Sequence, residues 1–379
     1  MSDQEHYYGG QAILEGVMMR GQNEWAAAVR REDDRIVVTK HPTGDFADRH
    51  AWAKWPLIRG NVALVDTLGL GIRSLIFSFN VLVEEQQEKE NSTDNPGQTA
   101  AESADTPNPV TKASDRPQSD SQPAQQPEDS DRIQVGADEK KQSSSGWMVW
   151  LSLIPAFAIG IGLFVLLPAW VPDLFNTRLS ELGLNLVEAV ARIAAILGYI
   201  IVISFMPDIR RVFQYHGAEH TVINCFEAGE RVNTDTCSRY GPLHPRCGTT
   251  FLLMFVVVKL LLNAPLGWPE PLLRMGLRLL MVIPAAAISY EILRFAGRRR
   301  DTWFGRLMSY PGLWTQKLTT RQPNEKQLET AIYALAAVAE EVDLPEDLPE
   351  PHWADIDGVI ETAEQPAADA EKQPAEEPV

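Results

Sequence analysis

The stretch Tyr215-His216-Gly217-Ala218-Glu219-His220 holds the residues best suited to chemistry. Histidines four apart lie one above the other on a helix face, the spacing at which two imidazole nitrogens reach one metal ion. Glu219 stands beside them, placed to take a proton from water near that ion. The order His-x-x-Glu-His is that of the inverted zinc metallopeptidases, where the glutamate is the general base. A five-residue pattern recurs by chance, so its company matters. Cys225, Glu227, Cys237, His244 and Cys247 all follow before residue 248. Glu227 comes seven residues after His220 on the same helical face, and His244-Pro-Arg-Cys247 is a short turn able to bring one or two further donors. The expected ligand set is His216 and His220 with His244, Cys247 or Glu227, the expected base is Glu219, and the donor types favour a divalent metal, zinc above others. The same residues also admit a plainer reading, with the histidines hydrogen-bonded as loop anchors and the cysteines packed as small apolar groups.

These residues need elements to hold them. A helix is expected over about 212–228, stopped by Gly229, and it follows strongly apolar sequence. Residues 147–172, WMVWLSLIPAFAIGIGLFVLLPAWVP, run 26 residues without a charge, enough to cross a bilayer core of about 30 Å as a helix, with tryptophans at both ends. Further spans are expected at 186–206, 249–266 and 273–293. Glu188 and Arg192, four apart, are expected to pair, and Lys259, Arg278 and Glu291 should face a bundle interior or an interface. Arg210/Arg211 and Arg298–Arg300 follow the second and fourth spans, which by the positive-inside tendency puts residues 207–248 and both termini in the cytoplasm. Residues 61–83 are apolar too, but Asp66, Arg73 and Asn80 recur every seven residues as one polar stripe, so an interfacial or re-entrant helix is expected there.

The N-terminal 60 residues read as a small β-rich cytoplasmic unit: a glycine-rich block at 7–21, YYGGQAILEGVMMRG, then a hairpin with strands near 24–31 and 35–40 around Asp33-Asp34. Residues 325–341 carry Leu328, Ile332, Leu335 and Val338 at helical spacing behind Asn324, a candidate N-cap with Gln327 three residues on, and this helix is expected to dock on that unit.

The formal net charge of −17 suggests a soluble acidic protein, yet it sits in two segments. Residues 84–146 carry a net −8 and residues 322–379 a net −14, leaving +5 for the remainder. Both segments are rich in Pro, Gln, Ser, Asp and Glu and poor in large apolar residues, so a disordered linker at 84–146 and a disordered tail at 345–379 are expected. A mildly basic body gives no electrostatic case for nucleic acid as a partner. The polar opening MSDQEHYY does not read as a cleavable signal, and three cysteines within 23 residues argue for reduced thiols.

The blocks YYGGQAILEGVMMRG, WPLIRG (55–60), YHGAEHTVINCFE (215–227), HPRCGTTF (244–251) and YPGLWTQKLTTRQPNEKQLETAI (310–332) resemble the YqhQ-like family of bacterial multi-pass membrane proteins, classed as a domain of unknown function. The resemblance covers most of the folded chain. It implies a bacterial inner-membrane protein and a metal-dependent enzyme, and adds Glu15 and Arg20, a carboxylate and a guanidinium able to bind an anionic group. The long linker and acidic tail look like additions to the shared body.

The expected architecture is therefore an α-helical integral membrane protein with about four transmembrane helices, a small N-terminal β-rich cytoplasmic unit and disordered acidic linker and tail. The expected function is a metal-dependent, hydrolase-like membrane enzyme. The alternative is a non-enzymatic membrane scaffold or regulatory protein with a structural metal or none. A transporter component, drawing on Glu188, Arg192, Lys259 and Glu291, is the weakest fit, since four spans without visible repeats do not suit it.

Overall fold

Val17-Met18-Met19, Trp25 to Val29 and Ile36-Val37-Val38 are apolar at successive positions, the pattern of strands covered on both faces. A computed structural model, describing residues 8–44, 49–94, 154–155, 158–175, 179–299, 302–345 and 348–356, places them in one five-stranded sheet. Strands β1 (Gly9–Ile13), β2 (Gly16–Arg20), β3 (Glu24–Arg30) and β4 (Ile36–Pro42) form an antiparallel meander, and β5 (His352–Trp353) adds in parallel to β4. The expected linker beyond residue 94, residues 147–153 of the first expected span and the tail beyond residue 356 lie outside the described residues. Residues 348–356, by contrast, are part of the fold and not of a disordered tail. Ala354 donates its N–H to Val38 O, and Tyr333 Oη donates to Pro349 O. The chain divides into residues 1–88 with 160–379 and residues 89–159, and little of the second unit is described.

One sheet face is covered by helix α1 (Ile58–Asp94). Its Leu70, Phe77 and Val81 pack on Ile13, Met18, Trp25, Val29 and Val37. The helix runs past the expected boundary at residue 83 because its acids have work on the sheet. Glu85 accepts the Glu32 N–H at 2.9 Å, and Glu88 pairs with Arg31 and Arg35. Asp66 pairs with Arg20 at 2.6 Å near the other end. The opposite side of α1 exposes Val65, Leu68, Ile72, Leu75 and Phe79, an apolar stripe at helical spacing.

Among the described residues, five helical stretches are long and apolar enough to cross a membrane, one more than the expected four: residues 58–91 of α1, α2 (Ala158–Phe175), α3 (Glu181–Ile203), residues 248–266 and residues 271–298. The additional one is α1; of its polar stripe Asp66 is paired with Arg20 of the sheet and Arg73 is exposed, while Leu70, Phe77 and Val81 make the sheet contact. Between α3 and the third of the bundle spans runs α4 (Pro207–Glu227), which carries the His-x-x-Glu-His motif. The later spans are α5 (Gly248–Asn263) and the pair α6 (Pro271–Leu280) and α7 (Val282–Arg298). The expected fourth span is thus broken at Met281, just before Pro284, whose ring nitrogen has no proton to give the Leu280 carbonyl. Two more helices follow: α8 (Trp303–Thr319) and α9 (Glu325–Ala336), the latter with the expected Asn324/Gln327 capping box. Leu328, Ile332 and Leu335 of α9 and Tyr215, Ala218 and Val222 of α4 bury the second sheet face against Val17, Met19, Ala28 and Val38.

The bundle's ionisable groups face inward. Arg192 Nη2 lies 2.9 Å from Glu188 Oε1, and Arg278 Nη2 lies 2.9 Å from Glu188 Oε2 and 2.7 Å from Asn185 Oδ1. Arg274 donates to both Asp173 oxygens at 3.0 and 2.8 Å and lies over the Trp268 ring. Such pairing is what makes charge at this depth tolerable. Glu291 is held by Arg59 at the start of α1.

Candidate metal centre

Three elements build the site. The middle of α4 supplies His216, Glu219 and His220, the N-terminus of α5 supplies Cys247, and the end of α8 and the loop before α5 supply the carbonyls that orient the two rings. Close approach is possible because residue 217 is glycine: a Cβ there would stand 1.9 Å from the Arg321 carbonyl oxygen. Arg321 in turn donates its N–H to Phe213 O at 2.9 Å, tying the segment after α8 to α4.

Two backbone carbonyls set the histidine tautomers. His216 Nδ1 lies 2.9 Å from Thr319 O, and His220 Nδ1 lies 2.8 Å from Pro242 O. A carbonyl oxygen only accepts, so each Nδ1 carries the proton and each Nε2 keeps a bare lone pair. His216 Nε2 is 3.3 Å from Cys247 Sγ, and the two rings lie 4.4 Å apart. Donor atoms of His216, His220 and Cys247 all fall within 4.8 Å of one another. With metal–nitrogen distances of about 2.0–2.1 Å and metal–sulfur distances of about 2.3 Å, tetrahedral ligand atoms sit roughly 3.3–3.7 Å apart, so small side-chain adjustments close the set. Two imidazoles and a sulfur are a zinc donor set, and the Nδ1-to-carbonyl bonds are the outer support that zinc-binding histidines use. Cys247 also caps α5: its Sγ accepts from Thr249 N at 3.5 Å, at the helix end that favours negative charge.

The other expected residues distribute around this triad. His244, 4 % exposed, has its ring 5.7 Å from that of His220, and its backbone is clamped by Gln316, which accepts the His244 N–H and donates to the His244 carbonyl. Its Nε2 turns toward Glu227 at 3.6 Å, and Glu227 also binds Arg246. His244 is thus a neighbour of the triad, and Glu227 faces away into an ion pair. Burial works to raise the Glu227 carboxyl, but His244 and Arg246 outweigh it and hold it below the usual carboxylate range. Glu219 is buried against β1, where the Gly10 N–H addresses it. Burial pushes its carboxyl up, against the pull of His216 and His244. Burial also pushes the His220 imidazole down, toward the neutral form that binds metals.

Glu15 and Arg20 do not join the cluster. Glu15 sits in the β1–β2 turn at φ 49°, accepts from Arg211 Nε at 2.6 Å and lies 3.3 Å from Tyr215 Oη, while Arg20 is paired with Asp66. Cys225 and Cys237 are fully buried in the core between α4 and the sheet, and burial raises both thiols, the state of inert packing cysteines. Gln316, Thr319 and Pro242 were not singled out in the sequence as site residues, and two of the three act through backbone carbonyls, which any residue type supplies.

Residues 55–341 match the family described as protein of unknown function (DUF1385). The chain belongs to this family. The matched stretch covers α1, the spans, the His/Cys cluster and α9, and leaves all five strands of the sheet outside it. The chain is also similar to the uncharacterized protein YqhQ of Bacillus subtilis (strain 168), 29 % identical over 333 residues that span 86 % of this chain and 90 % of that protein. No solved structure matches.

Proposed function

We propose that this DUF1385 protein is a metal-dependent, hydrolase-like membrane enzyme whose centre is His216, His220 and Cys247. The reading rests on one observation above all: one nitrogen of each imidazole and one sulfur, drawn from two elements, lie within 4.8 Å of one another. Three protein donors leave a coordination position open, the pattern of catalytic and not structural zinc. A divalent metal held there would supply Lewis acidity. Thr319 and Pro242 fix the two rings, and Glu219, a carboxyl with raised affinity for its proton at the edge of the cluster, holds or releases a proton at its Oε atoms.

The same proposal includes the topology. α2, α3, α5 and the α6–α7 pair cross a bacterial inner membrane, with the sheet, the cluster and both termini in the cytoplasm. Arg210 and Arg211 after α3, and Arg298 and Arg299 at the end of α7, favour that orientation. α1 lies along the interface, since one of its faces is committed to the sheet and its polar partners sit at both ends of it.

Metal analysis of the purified full chain tests the centre. Wild type is expected to hold about one zinc per chain, His216→Ala and Cys247→Ser to lose most of it, and Glu219→Gln to keep it while losing cellular activity. Wild type without stoichiometric metal sinks the proposal. A Glu219→Gln variant that keeps both metal and cellular activity leaves the scaffold alternative, with a structural metal.

A further inference from the structure

A second site lies on the other side of the sheet. A cavity of about 1100 Å³ opens between the polar ends of β2–β4, the start of α1 and one side of α7. Its lining is graded. Along α7 it runs from Ile283, through Ala287 and Ile288, to Tyr290 and Arg294, and α1 adds Val62 and Val65 to the apolar wall. The eleven helical steps from residue 283 to residue 294 rise about 16 Å, close to half of the roughly 30 Å hydrocarbon thickness, which is the depth of one leaflet. The polar rim is basic: Arg20, Lys54, Arg59 and Arg294 line it against one carboxylate, Asp66. Arg20 is matched by Asp66 and Arg59 by Glu291, but among the described residues Arg294 makes no hydrogen bond or ion pair and only feels the charge of Glu291. Trp52, exposed and in the lining, is a residue type that prefers the headgroup zone.

We infer that this cavity binds one anionic phospholipid, its phosphate at Arg294 and the basic rim and an acyl chain along Ile283, Ala287 and Val62. A free phosphate would use the rim and leave the apolar wall idle, and a zwitterionic lipid would leave the excess positive charge uncompensated. The inference is independent of the metal centre, which lies across the sheet, so either can fail alone.

The test reconstitutes the full chain in nanodiscs of equal phosphatidylglycerol and phosphatidylcholine and counts the lipids that stay bound, by native mass spectrometry after mild detergent extraction. Wild type is expected to retain one phosphatidylglycerol in preference to phosphatidylcholine. Arg294→Ala should cut that preference about fivefold, the effect of about one surface cation on an anionic headgroup. Ala63→Trp, at a lining position of α1 next to Val62, fills the apolar wall and should reduce retention of both lipids, while Arg298→Ala, on the helix of Arg294 but outside the lining, should change nothing. Size-exclusion profiles matching wild type certify that each variant is folded. Equal retention of the two lipids by wild type, a preference that survives both Arg294→Ala and Ala63→Trp, or release of the lipid by millimolar inorganic phosphate each overturns the inference.

Discussion

Gly217→Ala is the sharpest test of how the metal centre is assembled. In an open helix the change should stabilise, because alanine exceeds glycine by about 0.8–1.0 kcal/mol in helix propensity. Here the new Cβ would stand 1.9 Å from Arg321 O, 3.1 Å from Arg321 C and 3.3 Å from Pro242 Cβ, where ordinary contact begins near 3.4 Å. The obstacle is backbone, so the segment after α8 must retreat by roughly 1.5 Å. Overpacking of this kind costs about 1–3 kcal/mol, and the Arg321 N–H to Phe213 O bond that the retreat breaks adds about 1 kcal/mol. Set against the propensity gain, the net is a destabilisation of about 1–3 kcal/mol, or roughly 4–8 °C in apparent melting temperature at the middle of that range. Gly69→Ala in α1, where nothing lies within 4 Å of the added methyl, is the control and should be neutral or slightly stabilising. Tryptophan fluorescence melts of both variants in the same detergent give the comparison. Because Thr319 O, two residues before Arg321, orients His216, the variant should also hold metal less tightly than wild type. A Gly217→Ala protein that melts at or above wild type would show that α4 and the 319–321 segment are not in the contact described, and the support for His216 would go with it.

Three further outcomes follow from other parts of the fold. Glu188→Ala strands Arg192 and Arg278 in the bundle, a loss on the order of 3–5 kcal/mol for a buried partner, so it should lower yield and melting temperature; unchanged stability would mean that those arginines reach water. Lys326 donates to Asp34 and holds its carboxyl below the usual value, so this tie is intact above about pH 4 and fades as pH falls through the lowered folded value; Lys326→Ala should move the Asp34 carboxyl up in a carbon-13 NMR titration, and an unmoved resonance contradicts the pairing. Tryptophans introduced singly at Leu68, Ile72 and Phe79 should all be quenched by lipids brominated near the headgroup if α1 lies in the interface, whereas quenching depth that changes steadily along the helix would mean that it crosses.

The sequence carried the site further than it carried the fold. The grouping of His216, His220 and Cys247 was legible from residue type and spacing. Their orientation by Thr319 and Pro242 was not, since carbonyl oxygens leave no trace in residue identity. The β3–β4 hairpin, α4 and α9 announced themselves through turn residues, a glycine stop and a capping box. The C-terminal boundary of α1 did not, because Glu84, Glu85 and Glu88 read as the beginning of an acidic linker until Arg31, Arg35 and the Glu32 N–H are brought beside the last two. Composition likewise hid β5: two residues in an acidic, proline-rich stretch become a strand only because β4 has a free edge. Glu15 and Arg20 were promoted by resemblance, and each already has an oppositely charged partner away from the triad.

The sheet core draws its cover from three distant parts of the chain: α1, α4 and α9, with β5 later still, and contacts such as Arg30 to Glu329 and Tyr8 to Glu341 join residues 299 and 333 positions apart. During synthesis the strands emerge first, yet the apolar face they offer to α9 stays bare until every span has been made. Assembly of this unit therefore waits on synthesis of the later helices, and His216 of α4 gains its α8 support only at the same late stage. A chain stalled or cut before residue 325 would carry His216, His220, Cys247 and the Thr319 and Pro242 carbonyls, but would have neither α9 to cover the second sheet face nor β5 at its edge.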